Sequence, residues 1–301
     1  MTPTPSTHPA ADTSALPQAV ERVAASVVGL TMRRGAASGV VWAPGVVVTA
    51  ASALWRARGV EVVLPSGEPV AGTIRGIDTS TDLAAISFEG ATAPTAAEPA
   101  TGAVPVVGDF VFAVGREPSG RVQASFGHVG AAGGPWRTWR GGRVERLIRL
   151  DGGLYPGLAG APVADMSGRV LGVASPALSR NHGVVLPVAT IERVLAQLLA
   201  HGRVQHGYLG VAVQPVHAAM DEVAVDGLLV SSLADGGPAA KAGLLVGDVI
   251  VRVGDVAVAD IEALRDALQA VGGKLALRVA RGGRATALEI EVGERPQRHC
   301  H

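Results

Sequence analysis

The sequence predicts a mostly β protein, and three observations support it. Short Val-, Ala- and Leu-rich runs recur along the 301 residues and are broken by Gly and Pro, of which there are 40 and 19; strands joined by tight turns have this pattern. Hydrophobic residues make up 48% against 17% charged, which suits aliphatic cores. Helical spacing is confined to a few segments. The length is enough for two or three packed units.

Residues 1–15, rich in Thr, Pro, Ser and Ala, read as a disordered arm. Leu16–Ala25 reads as a short helix with Pro17 at a tolerated early position. Val27–Leu30, Val40–Trp42, Val46–Thr49, Val60–Leu64 and Leu83–Phe88 have the spacing of successive strands in a small barrel. The Thr/Ala/Pro/Glu stretch 91–105 suits a connection to a second set of strands, which includes Phe110–Val114, Leu147–Leu150, Val170–Ala174 and Val184–Leu186. The period then changes: Ile191, Val194, Leu195, Leu198 and Leu199 predict a helix over 188–201 that Gly202 ends.

After a short hinge, His201–His206, a compact unit runs from Gly207 to Gly293. Its expected strands are Val211–Val213, Leu228–Ser231, Val249–Val253, Leu275–Ala280 and Ala287–Val292. Pro238–Ala242 reads as a short helix and Asp260–Val271 as a longer one, with Asp260 as N-cap and Ile261, Leu264, Leu268 and Val271 on one face. Residues 294–301 read as a loose polar tail.

With 26 basic and 26 acidic residues, the chain has no global field favouring nucleic acid or an anionic membrane. The single cysteine, Cys300, excludes an intramolecular disulfide. Met1–Pro17 carries no secretory-signal pattern, and no stretch approaches the roughly 20 apolar residues of a membrane span. As written, the chain is expected in the cytoplasm.

Several ordered motifs across about 270 residues then carry a resemblance. Ser38-Gly39-Val40-Val41, Val48–Leu54, Thr81–Ile86, Ser125–Val129, Gly157–Pro162 and His182–Pro187 together resemble the trypsin-like domain of HtrA/Deg-type serine proteases, over residues 16–200. Residues 207–293 resemble the PDZ domain that follows it there. The resemblance implies a chymotrypsin-like double six-stranded β-barrel split near 91–105, then a PDZ domain. It also implies a cell-envelope location, contrary to the absent export signal, and a homotrimer as an option, although no aromatic residue precedes Trp42.

The same resemblance places the general base at position 52, where this chain has Ser52, and the nucleophile at 159, where it has Ala159. Asp82, which would orient the base, remains, and Gly157 and Leu158 form the oxyanion turn. A serine hydroxyl has no pKa near neutrality and an alanine methyl cannot attack, so an inactive pseudoprotease is expected. Asp82 after Thr81 also reads as a cap for neighbouring amides. Leu158, in place of a polar residue, is expected to block or reshape the anion site. His128, His182, Ser175, Ser179 and Cys300 offer no evident replacement, and an active endopeptidase with an unrecognised nucleophile is the alternative.

The PDZ resemblance assigns Tyr208-Leu209-Gly210-Val211 to a loop whose backbone N–H groups receive a peptide carboxylate, with Val211 and Val213 on an open strand edge. Leu209, Val211, Leu264 and Leu268 would surround an apolar terminal residue, although leucines at such positions also suit a core. The expected partners are peptides or proteins with apolar C-termini and an active HtrA-type paralogue, with no nucleic acid, no cofactor and no metal. His299-Cys300-His301 fits no structural zinc spacing. The loop around Trp136, Arg137, Trp139 and Arg140 has the composition of an interface.

Overall fold

A computed structural model describes residues 15–294, apart from positions 34, 56, 58, 91–93, 156, 180, 206 and 269–272; the expected arm before residue 15 and the tail beyond 294 lie outside the described residues. The chain divides between Val204 and Gln205 into two compact units.

The first unit holds two closed barrels of six strands each. β1 (Val27–Thr31), β2 (Ala36–Ala43), β3 (Val46–Ala50), β4 (Val60–Val63), β5 (Pro69–Asp78) and β6 (Leu83–Phe88) close in the order β1-β2-β3-β6-β5-β4. The second barrel uses β7 (Phe110–Arg116) and β8 (Val122–Gly133), and then β11 (Leu147–Leu150), β12 (Pro162–Asp165), β13 (Val170–Ser175) and β14 (Val184–Pro187). A small hairpin between β8 and β11 pairs β9 (Trp136–Arg137) with β10 (Arg143–Val144). Each barrel has an aliphatic centre, with Leu30, Val41 and Ile86 in the first and Val111, Ile148 and Val163 in the second.

Helix α1 (Ala15–Ala24) lies against β7, and its last carbonyl is held by the buried Arg116, whose Nη2 donates to Ala24 O at 2.8 Å. Helix α2 (Val188–His201) seats Ile191, Val194 and Leu198 on Val40 and Leu83 of the first barrel and Val173 and Leu186 of the second. Gly202 ends α2 at φ +72°, returning its N–H to Leu198 O at 2.9 Å. The 91–105 connection is tied to both barrels: Ala97 N–H reaches Val41 O at 2.8 Å and Ala100 N–H reaches Val170 O at 2.8 Å.

The two barrels also meet at a seam that leaves no room for a Cβ at position 160. Ser38 Oγ donates to Gly157 O at 2.8 Å, Ser38 N–H to Ala159 O at 3.1 Å, and Thr49 Oγ1 to Ser38 O at 2.8 Å. Gly160 adopts φ +79°, and a Cβ there would stand 2.1 Å from Thr49 Oγ1 and 2.4 Å from Ser38 O.

In the second unit, β16 (Val211–Met220), β17 (Val223–Leu233), β18 (Val249–Val253), β20 (Lys274–Arg281) and β21 (Arg284–Glu291) form a sheet in that order, with β19 (Val256–Ala257) on β18. β15 (Gly207–Tyr208) pairs with β22 (Gly293–Glu294). Helix α3 spans Pro238–Lys241. Helix α4 (Ile261–Ala267) is shorter than expected; Asp260 caps it through Ala263 N–H at 2.7 Å, and position 271 lies outside the described residues.

Gly160→Ala combines a disfavoured backbone conformation with a clash against backbone on the opposite barrel. It is expected to cost roughly 3 kcal/mol or more in denaturant unfolding of the two-barrel unit. Gly141→Ala, at φ +84° but with open space around its Cβ position, is the control for conformation alone.

Candidate functional site

Asp82 follows a turn held by another carboxylate. Asp78 accepts the Ser80 and Thr81 hydroxyls at 2.7 and 2.5 Å and their N–H groups at 3.0 and 3.3 Å. Asp82 itself lies in the left-handed region at φ +62° and is buried. Its Oδ1 accepts Ser52 N–H at 2.7 Å, and its Oδ2 accepts Ser52 Oγ at 3.1 Å and Ser175 Oγ at 2.5 Å. Ser52 lies on the short 3₁₀ turn Ala51–Leu54, so the carboxylate does cap a neighbouring amide. Burial pushes the Asp82 carboxyl above 3.8, while the hydrogen bonds from Ser175 and Ser52 and the charge of Arg140 pull it partly back.

Ser175, fully buried at the end of β13, was not expected as a partner of Asp82. The only sequence signal was a serine closing an otherwise apolar strand. His128 lies on β8 with its ring 4.1 Å from that of Phe110, and neither it nor His182 is a hydrogen-bond partner of Asp82.

The turn at Ala159 keeps its glycine geometry, with Gly157 at φ +89° and Gly160 at φ +79°. Leu158 corrects one expectation. Its side chain does not plug the anion site but turns inward, fully buried with Val111, Ala113 and Val163. It occupies the space over Gly115, where a Cβ would lie 2.6 Å from Leu158 Cδ2.

A crevice of about 130 Å³ opens beside Ser52 and Asp82, walled by Trp55, Trp139, Arg140 and Leu178. The Trp139 wall is fastened to the Asp82 turn. Thr138 Oγ1 donates to Ser80 O at 2.5 Å, and a Cβ on Gly142 would meet Ser80 O at 2.4 Å. The interface-like composition of this loop thus lies at the crevice, a placement that spacing did not reveal. Among the described residues no group of three or more His, Cys, Asp or Glu is placed to hold a metal ion, and no helix is long and apolar enough to cross a membrane.

In the second unit, Gly210 takes φ +76° between β15 and β16, and its carbonyl accepts Ala234 N–H at 2.8 Å. A Cβ there would stand 3.2 Å from Ala234 Cβ and 3.4 Å from the Tyr208 ring. Among the described residues β16 pairs only with β17, leaving its other edge open, and α4 contacts β16. Val211, Val213 and Tyr208 are half-buried, whereas Leu209, Leu264 and Leu268 belong to the core.

A family model of the trypsin-like peptidase domain matches residues 37–173, and one of the PDZ domain matches residues 229–281. A protein of Chlamydia trachomatis named as a DegP-like periplasmic serine endoprotease is 29% identical over 263 residues, which is 84% of this chain and 52% of that protein. A like-named protein of Brucella suis is 34% identical over 201 residues, 63% of this chain and 39% of that protein. The chain thus spans about half the length of the curated relatives it matches. Among solved structures, the serine endoprotease from Yersinia pestis superimposes with TM-score 0.76 at 23% identity, covering 98% of this chain and 100% of that one, a likeness of fold. The HtrA-type protease AlgW with tripeptide gives TM-score 0.75 at 26% identity, covering 94% of this chain and 98% of that one.

Because Asp82 holds its proton to higher pH in the native state than in the unfolded chain, stability is gained as pH falls through the native pKa and is lower at neutral pH. Asp82→Asn, which cannot ionise, is therefore expected to stabilise the two-barrel unit at pH 7. Denaturant midpoints measured against pH should show that advantage shrinking towards acid.

Proposed function

We propose that this chain, a trypsin-like peptidase domain followed by a PDZ domain in the arrangement of HtrA-type proteases, works by binding polypeptides and not by cleaving them. The observation that carries the reading is the environment of Asp82. Its carboxylate is met by two serine hydroxyls and an amide, with no imidazole among the described residues, and position 159 presents a methyl group. A general base must accept a proton near neutral pH, and neither hydroxyl does so.

Losing the nucleophile or base of such a triad costs on the order of a millionfold in turnover. The seam still shapes the turn around position 159, so a polypeptide can lie across the cleft without being hydrolysed.

The PDZ domain supplies the groove. The Tyr208–Val211 loop offers backbone N–H groups to a terminal carboxylate, with Gly210 allowing close approach, and the open edge of β16 accepts an added strand. AlgW, with 26% of its residues in common, has been solved with a tripeptide. Peptides and proteins with apolar C-termini are the proposed ligands. The chain would then act as an adaptor, a holder of unfolded segments or a regulatory subunit beside an active HtrA-type paralogue, and homotrimer assembly is open to it.

Incubation of the purified chain with casein should release no peptides, and a serine-directed phosphonate should leave no covalent label. Turnover, with one serine labelled, would refute the reading. Calorimetry with peptides ending in a free apolar residue should show micromolar affinity that C-terminal amidation weakens at least about tenfold. Gly210→Leu should abolish binding by filling the approach to the loop. No uptake from a diverse C-terminal library would refute the groove assignment.

A further inference from the structure

The crevice over Asp82 has a chemistry of its own. Its floor is a carboxylate only 5% exposed, and its rim carries two indoles that face solvent, Trp55 at 66% and Trp139 at 72% exposure. Large aromatic surfaces left open beside a concave site are characteristic of recognition surfaces. Among the described residues, every hydrogen-bond donor that reaches Asp82 is neutral: the Ser52 amide, the Ser52 hydroxyl and the Ser175 hydroxyl. No ion pair reaches it among the described residues, and Arg140 acts on it only across space.

A buried anion that makes no ion pair among the described residues, and feels only the distant charge of Arg140, is complementary, at the bottom of an aromatic-walled opening, to a cation with flat, weakly hydrated faces. The crevice already displays half of that contact. The Arg140 guanidinium carbon lies 4.4 Å from the centroid of the Trp139 ring, while Arg140 Nη1 reaches Thr79 O at 3.4 Å.

We propose that this crevice binds the guanidinium of an arginine side chain on a partner polypeptide, held against the indole faces of Trp55 and Trp139 and drawn inward by the Asp82 carboxylate. Arg140 is the resident competitor: it shares the indole and repels an incoming cation. The wall is preorganised, since Thr138 fixes the 138–142 loop to Ser80, so little ordering cost falls on binding. The site is distinct from the carboxylate loop of the PDZ domain.

The test is calorimetry on the full chain at low ionic strength with N-acetyl-arginine-N-methylamide, beside the corresponding norleucine and glutamate compounds. All three lack a free carboxyl terminus, so the carboxylate loop does not capture them and the PDZ assignment is untouched by the outcome. The arginine compound should saturate and the other two should not. Asp82→Asn should weaken binding at least about tenfold, Trp139→Ala about three- to fivefold, and Arg140→Ala should tighten it about threefold. Asp82→Asn is expected to fold, and Trp139→Ala alters an exposed side chain. Equal binding of the norleucine compound, no saturation by the arginine compound, or full affinity in Asp82→Asn would overturn the proposal. So would glutamate binding that Arg140→Ala abolishes, which would assign the site to anions.

Discussion

Two buried hydroxyls and a glycine without room for a side chain hold the two-barrel unit in register. Ser38 spends its hydroxyl twice, donating to Gly157 O and accepting Arg116 N–H at 3.1 Å, while its carbonyl takes the Thr49 hydroxyl. Both seam hydroxyls, of Ser38 and Thr49, have partners, so they tie the barrels together without leaving a buried hydroxyl unpaired. The turn around position 159 is therefore shaped by a strand of the other barrel and not by whatever side chain stands at 159. A chain can exchange the hydroxyl of that residue for a methyl group and keep the surrounding backbone.

The same separation of scaffold from chemistry explains the state of Asp82. A carboxylate this deeply buried needs donors, and it has three. Neutral donors satisfy its lone pairs but supply no charge to offset desolvation, so its affinity for a proton rises. A cation in contact would relieve that cost. The crevice beside it leads outward past two indoles and Arg140, whose charge already acts on the carboxylate from a distance.

Much of the fold was legible because its strands are β-branched runs closed by glycines: Val46–Thr49, Leu83–Phe88 and Val249–Val253 fall almost residue for residue on β3, β6 and β18. The α2 boundaries were readable from spacing plus the glycine at 202. β5 was not expected, because Gly72 and Gly76 interrupt it and most of its length has no fully buried face, so neither strand alternation nor an apolar run marks it. β12 escaped because it begins at Pro162, directly after the turn. At the site, residue types at positions 52, 82 and 159 were readable from motif order alone. Ser175, Thr138 and the inward turn of Leu158 were not, since each depends on contacts with residues 43 or more positions away.

Under the binding reading, one set of leucines in the second unit would serve both core and groove. Leu209, Leu264 and Leu268 are buried without any ligand, so a peptide side chain entering beside them extends an existing apolar surface and need not create one. Selectivity under the binding reading then falls on the half-buried Val211 and Val213 and on how far a peptide can pair with β16. Pro215 limits that reach. A proline has no N–H to donate, and such residues are tolerated on edge strands because no neighbour there requires one. Under the binding reading, an added strand would meet at Pro215 a residue with no N–H, partway along β16. On that reading, the groove suits the last few residues of a chain better than a long internal segment.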